Sequence, residues 1–181
     1  RPGESLVNPS VAENGNAYRQ GTQTDLAPGT AGTFGITRHG DGERIVWYFE
    51  ASNQTRAFTI SYTLRRVAVA YDDVVDINLQ VWGDQWKQSL SRLVAIESAP
   101  AKIERAWGKP VWVRGDVELT GSRATLRAVN VPAHQYVELR TLIPRSAFSS
   151  TDGMRVVRGN GLNAIVKEER ADAKRYTRDR E

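Results

Sequence analysis

A two-residue alternation of apolar and polar side chains between Arg56 and Gly83 is the feature that most constrains the fold. The apolar set is Phe58, Ile60, Tyr62, Leu64, Val75, Ile77, Leu79 and Val81. Because successive side chains of a strand point to opposite faces, this alternation predicts half-buried strands with one packed face and one wet face. The wet face of the second strand would carry Asp76, Asn78 and Gln80.

Further strands are predicted where apolar alternation recurs between turn signals rich in Gly, Pro and Asn. The predicted ranges are 33–37, 44–51, 67–71, 93–97, 111–113, 116–120, 124–129 and 135–143. Turns spaced about 8 to 12 residues apart are typical of sandwiches and barrels. We therefore expect an all-β fold, an antiparallel β-sandwich of immunoglobulin-like or related type, with a C-terminal α-helix.

Three segments of different composition divide the chain. Residues 1–32 are rich in Asn, Gly, Pro, Ser and Thr, which predicts an irregular N-terminal arm with at most one short strand. Residues 33–158 form the predicted sandwich domain. Residues 159–181 follow helical spacing from Leu162 onward, with apolar side chains in the first two turns and basic ones on the opposite face. We expect this helix to dock through those two turns and to extend into solvent beyond them.

Composition excludes several classes of protein. The chain contains no cysteine, so neither a disulfide framework nor a thiolate metal site is possible. The net charge of +4 is dispersed until the C-terminal end, whereas a nucleic-acid-binding surface would be denser and clustered on one face. No apolar run approaches the ~20 residues that span a bilayer. We therefore expect a soluble polypeptide that binds no nucleic acid. Since the chain begins at Arg1, we also expect it to be a fragment of a longer protein.

The residues that could carry acid–base or metal chemistry form no recognisable pattern. His39 and His134 are far apart in sequence, and each lies in a predicted turn or loop. Asp72, Asp73 and Asp76 form the densest acidic group, yet the Gly and the distal Glu of a calcium-binding loop are missing. We predict turn-forming or solvated roles for these acids. No catalytic, cofactor-binding or metal-ligating residue is predicted.

Five tryptophans are many for a chain of this length. Trp47 alternates inward and is predicted to lie in the core. The others are predicted to be covered on partly buried sheet faces, but exposed aromatic rings could also stack on sugars or on a partner protein. The candidate ligand or partner surface therefore consists of five residues: Trp82, Trp86, Trp112, Asp72 and Asp73.

Six short sequence motifs occur in a distinctive order along the chain. They are Arg44–Ala51, Arg56–Tyr62, Tyr71–Asp76, Val81–Trp86, Trp107–Pro110 and Val137–Pro144. Together they resemble the bacterial family of predicted membrane proteins called domain of unknown function two-two-zero-seven. The resemblance implies a signal peptide, an extracytoplasmic β domain and transmembrane helices, so that the helix from Leu162 would lead toward a membrane segment outside this chain. It implies no cofactor and no catalytic residue.

Three functions are open at this point. The leading hypothesis is a non-enzymatic, membrane-anchored, extracytoplasmic domain that binds an envelope protein or has a structural role in the envelope. The alternative is a carbohydrate-binding module for cell-wall glycan, which requires Trp82, Trp86 or Trp112 to line an exposed groove. The third is a carboxylate-dependent hydrolase, which requires two facing acids in a concave pocket.

Overall fold

The computed structural model describes residues 4–21, 29–39 and 42–178, with only the backbone described for His39. Within that part of the chain there are fourteen strands and one α-helix, together with a one-turn 3-10 helix at Arg145–Ala147. The α-helix, α1, spans Leu162–Arg178. The strands β1 to β14 are Ser5–Glu13, Asn16–Ala17, Arg19–Gln20, Thr33–His39, Gly42–Tyr48, Phe58–Arg65, Val69–Ala70, Val74–Trp82, Leu90–Ser98, Arg105–Lys109, Gly115–Thr120, Arg123–Val131, Val137–Pro144 and Arg155–Val156.

The predicted fold class is confirmed, because the described chain is mostly β, sandwich-like and antiparallel, with its α-helix at the C-terminal end. Two short strand pairs are parallel, β3 with β4 and β7 with β14. The chain divides into two compact units, residues 1–66 and residues 67–181. This boundary falls inside the 33–158 range that the sequence suggests as one domain.

The first unit contains two three-stranded sheets, ordered β2-β1-β6 and β3-β4-β5. Phe58 of β6 meets Trp47 of β5 with ring centroids 5.7 Å apart, so aromatic side chains join the two sheets. Tyr18 packs edge-on against the same ring at 6.2 Å. Residues 5–13, which the composition places in an irregular arm, form the nine-residue strand β1 paired with β6. Pairing with an existing strand thus orders a segment whose own composition does not predict order.

The second unit is a two-layer sandwich. Its first sheet has the order β10-β13-β8-β7-β14, and its second sheet has the order β11-β12-β9. Alternate residues of β12 and β13 meet in the core between the sheets: Ala124, Leu126, Ala128, Val131, Val137, Leu139 and Ile143. On the opposite face of the first sheet, Val74 and Leu142 pack against Ile165 of α1. The first sheet is therefore covered on both faces, by the second sheet and by α1.

The polar face of β8 is covered at Asp76 and in part at Asn78, contrary to the prediction that the whole face is wet. Strand β8 spans Val74–Trp82, inside the alternating stretch between Arg56 and Gly83, but Asp76 is only 6% exposed. Asn78 is half-buried, and of the three polar residues only Gln80 is exposed. Alternation distinguishes the two faces of a strand, but it does not reveal whether a helix covers the polar one.

The segment around Trp107 also differs from its prediction. The sequence predicts a strand at 111–113, whereas those residues form a turn and the strand β10 lies earlier, at Arg105–Lys109. Gly108 and Pro110 give this segment the composition of a turn. In the structure a Cβ on Gly108 would lie 2.6 Å from Leu126, so glycine here permits the second sheet to approach β10 closely.

The helix α1 begins at the predicted residue, but its contacts continue along most of its length. Leu162, Ile165 and Val166 pack on the first sheet as expected. Farther along, Asp172 lies 3.9 Å from Lys109, and the ring of Tyr176 lies 6.2 Å from that of Trp112. The expectation that α1 leaves the sheet after two turns is therefore wrong, because its later contacts are polar and aromatic.

A pair of substitutions on β8 tests the facing of this strand. Ile77 packs against the core between the sheets, whereas Gln80 is exposed. We expect Ile77→Asp to lower the free energy of unfolding by about 3 kcal/mol, because it buries an unpaired charge. Gln80→Asp should lower it by less than about 0.5 kcal/mol, as is usual for surface changes. Urea denaturation measures both, and equal midpoints for the two variants would contradict the facing.

Candidate functional site

A buried cluster of charged side chains joins the first sheet of the second unit to α1. Arg140 of β13 donates from Nε and Nη2 to the two carboxylate oxygens of Asp76 on β8, at 2.9 and 2.7 Å. Its Nη1 donates to Oε1 of Glu169 on α1 at 2.6 Å. The Nζ of Lys109 lies 2.8 Å from the same glutamate oxygen. We call Arg140, Asp76, Glu169 and Lys109 the charged cluster.

Burial and pairing act on Arg140 in opposite directions. Burial alone would lower the pKa of its guanidinium, but the hydrogen bonds and charges of Asp76 and then Glu169 outweigh that effect and raise the pKa. Arg140 therefore stays charged, and its planar fork matches the Asp76 carboxylate in a bidentate arrangement. The cluster attaches α1 to the sheet, and both of its acids are occupied in doing so.

Asp72 and Asp73, two candidate surface residues, hold the segment that leads into α1. The carboxylate of Asp73 accepts hydrogen bonds from the backbone N–H groups of Gly161 and Leu162, at 2.7 and 3.2 Å. Asp72 accepts one from the N–H of Gly159 at 2.8 Å. Free N–H groups and the dipole at a helix N-terminus both favour a carboxylate. Asp73 thus caps α1 from a turn 89 residues before its first residue, and Asp72 holds the segment that precedes the helix.

A groove of about 360 Å³ lies between the loop after β10 and the second half of α1. We call it the aromatic groove, and the side chains that matter in it are Trp112, Tyr136, Tyr176, Lys109, Asp172 and Arg175. Trp112 is 56% exposed, and its ring is tilted by 36° to that of Tyr176. Its Nε1 donates to Gln135 at 3.3 Å, which orients the indole. The groove therefore has one wall on the β scaffold and the other on α1.

The polar groups of the aromatic groove are each other's partners. Asp172 lies 3.4 Å from Arg175 and 3.9 Å from Lys109. This carboxylate and these two cationic side chains can form hydrogen bonds with the hydroxyl groups of a ligand, while the aromatic rings cover its apolar side. The arrangement is suited to binding a molecule with one polar and one apolar surface.

Trp82 and Trp86, the other two candidate tryptophans, are placed apart from this groove. Their rings stack on each other, with centroids 4.9 Å apart and planes 10° apart. Trp82 packs against the core between the sheets, and Trp86 is 45% exposed. Neither lines the aromatic groove. Of the five candidate surface residues, the structure thus brings together Trp82 with Trp86 and Asp72 with Asp73, and places Trp112 by itself in the groove.

The remaining titratable groups of interest are isolated. Burial raises the pKa of Glu97 on β9, and a 2.7 Å hydrogen bond from Thr141 acts in the opposite direction. His134 is exposed, with Nδ1 3.1 Å from the carbonyl oxygen of Asp84. The side chain of His39 lies outside the described part of the chain. Among residues 4–21, 29–39 and 42–178, no group of three or more His, Asp or Glu side chains could hold a metal ion.

Sequence reasoning missed the charged cluster, although one signal for it exists. Glu169 falls on the apolar face of the helical pattern, in register with Leu162 and Ile165. An acid at such a position requires a buried cation, and a cation is present at Arg140, next to the core residue Leu139. Tyr136 and Tyr176 carry no comparable signal, because the groove that they line exists only once α1 is docked.

Removing Arg140 tests how strongly the charged cluster holds the fold. Arg140→Met leaves Asp76 buried without its partner, and we expect it to lower the free energy of unfolding by about 3 to 5 kcal/mol. The matched control is Arg127→Met, which breaks the exposed pair between Arg127 and Glu118 and should cost less than about 1 kcal/mol. Urea denaturation measures both variants, and similar losses would show that the cluster is energetically unimportant.

Comparison with known proteins identifies a family for this chain but no solved structure that resembles it. No curated protein and no solved structure matches the chain at a significant level. No helix among the described residues is long and apolar enough to cross a membrane. A family model described as Predicted membrane protein (DUF2207) N-terminal domain matches residues 5–143, which is more than half of the chain. The resemblance found in the sequence is confirmed, and the chain belongs to this family of predicted membrane proteins.

Proposed function

We propose that this chain is an extracytoplasmic domain of a membrane-anchored bacterial protein and that it acts by binding rather than by catalysis. The family match supports attachment to a membrane protein. The non-catalytic role is supported by the use of the acids in the fold. Asp76 and Glu169 neutralise Arg140, and Asp72 and Asp73 bind the backbone before and at the start of α1.

The observation that carries the binding role is the aromatic groove. Its walls come from the β10–β11 loop and from α1, and the charged cluster fixes these two elements relative to each other through Lys109 and Glu169. A site whose walls are held in place before the ligand arrives loses little conformational entropy on binding. Tryptophan is among the side chains most enriched at the residues that dominate binding energy, together with tyrosine and arginine.

Cell-wall glycan is the occupant that the groove favours, and an envelope protein is the other candidate. The face of a sugar ring presents C–H groups, which pack on aromatic rings such as Trp112 and Tyr176. The rim of the same ring presents hydroxyl groups, which Asp172 and Arg175 can bind. The position of these charged groups beside the aromatic faces is what favours a glycan over a purely apolar ligand.

Titration with soluble peptidoglycan fragments tests the groove. We expect Trp112→Ala to weaken binding about 30-fold, since loss of an anchoring aromatic side chain costs about 2 kcal/mol. The matched control is Trp86→Ala, which removes a tryptophan of similar exposure that lies outside the groove. Isothermal calorimetry measures both. No heat of binding with the wild-type chain, or an equal loss in the two variants, would contradict glycan binding at this site.

Accessibility in intact cells tests the location. Because the chain contains no cysteine, a single Ser122→Cys substitution in the full-length protein provides a unique label site in this domain. Ser122 is exposed in the turn between β11 and β12. We expect a membrane-impermeant maleimide to label this variant in intact cells, whereas Ala128→Cys, at a position 1% exposed, stays unlabelled until the protein is denatured. Labelling of Ser122→Cys only after the cells are lysed would overturn the proposed location.

A further inference from the structure

The acidic residues of α1 and three of its basic residues lie on different sides of the helix. Its acidic residues Glu168, Glu169 and Asp172 all lie within ion-pair distance of Arg140, Lys109 or Arg175. The basic residues Lys167, Arg170 and Lys174 follow each other at i, i+3 and i+7, which places them on one side of the helix. None of these three has a carboxylate within 4.0 Å in the described chain. Their positive charge is therefore available to an external partner.

These three cations line a groove of their own. It has a volume of about 450 Å³ and lies between α1 and Arg105 of β10. We call it the basic groove; its cations are Arg105, Lys167, Arg170 and Lys174, and its apolar side chains include Leu162 and Val166. Among the residues that the structure describes, no acidic side chain lines it. The Nη1 of Arg105 donates to the backbone carbonyl oxygen of Glu104 at 2.7 Å, an uncharged acceptor that does not neutralise the guanidinium.

We propose that the basic groove binds the phosphate headgroups of anionic membrane lipids. Four cations around one cleft, without an acid among them, are complementary to a surface of negative phosphates. Clusters of Lys and Arg on an amphipathic helix bind anionic membrane surfaces in this way. A lipid surface is the source that fits this chain, because its family is one of predicted membrane proteins. Bound in this way, the domain would lie against the bilayer along α1.

This surface is separate from the site of the proposed function. The basic groove uses Lys167, Arg170 and Lys174 of α1, whereas the aromatic groove uses Asp172, Arg175 and Tyr176. At 100° per residue these two sets lie on different sides of the helix. The basic groove can therefore contact a membrane without occupying the aromatic groove, and each proposal can fail without the other.

Vesicle co-sedimentation with the full chain tests this proposal. The vesicles contain either phosphatidylcholine alone or phosphatidylcholine mixed with phosphatidylglycerol. We expect the wild-type chain to bind only the anionic vesicles. The triple variant Lys167→Gln, Arg170→Gln, Lys174→Gln should bind them on the order of 100-fold more weakly, from a several-fold loss for each basic residue removed from the surface.

A second triple variant removes the same net charge elsewhere. Arg92→Gln, Arg114→Gln and Arg123→Gln change three exposed arginines that line neither groove. This variant should bind within about threefold of the wild type, because charges beyond a Debye length of about 8 Å are screened at physiological salt. Thermal melts of both triple variants confirm that each is folded.

Three outcomes would overturn the proposal. Binding to neutral vesicles as strong as to anionic ones would show that headgroup charge is not recognised. An equal loss in the two triple variants would show that net charge, and not the basic groove, determines binding. Release from anionic vesicles by millimolar inorganic phosphate, but not by sodium chloride of the same ionic strength, would show that the groove takes free phosphate rather than a lipid surface.

Discussion

The contact of Arg140 with Asp76 and Glu169 is the interaction on which the second unit depends. One guanidinium is shared between a strand and a helix, with all three side chains less than a tenth exposed. A buried pair of this kind contributes little stability compared with an apolar replacement, but breaking it leaves a charge without a partner. The cluster therefore selects one position of α1, because a shift by one helical turn would separate Glu169 from both Arg140 and Lys109.

The position of α1 in turn creates both grooves. The aromatic groove needs Tyr176 opposite Trp112, and the basic groove needs Lys167 and Arg170 opposite Arg105. Neither surface exists on the sheet or on the helix alone. The charged cluster thus links the packing of the fold to every binding surface proposed here, although none of its three most buried members lines either groove.

How far the sequence predicts this structure depends on the range of the interaction involved. Strand β8 and the start of α1 are predicted because alternation and helical spacing are local patterns. The nine-residue length of β1 is not predicted, because its order comes from pairing with β6. Strand β10 is missed because Gly108, which permits close packing of Leu126, gives this segment the composition of a turn. The burial of Asp76 is missed because it depends on a partner 64 residues away. The aromatic groove is missed for the same reason, and Trp112, which the sequence favours as a covered side chain, is 56% exposed.

The contacts of α1 explain the acidic residues at the start of β8, which lie within the range of the family match. The match ends at residue 143, whereas α1 begins at Leu162. Yet four side chains within the matched range help to hold α1. Asp73, Lys109 and Arg140 contact the helix directly, and Asp76 binds Arg140. If α1 were absent, Arg140 would lose the carboxylates of Glu168 and Glu169, and Asp73 would lose the N–H groups that it binds. The helix is therefore part of the folded unit, and the acids at the ends of β8 have a structural explanation that requires no ligand.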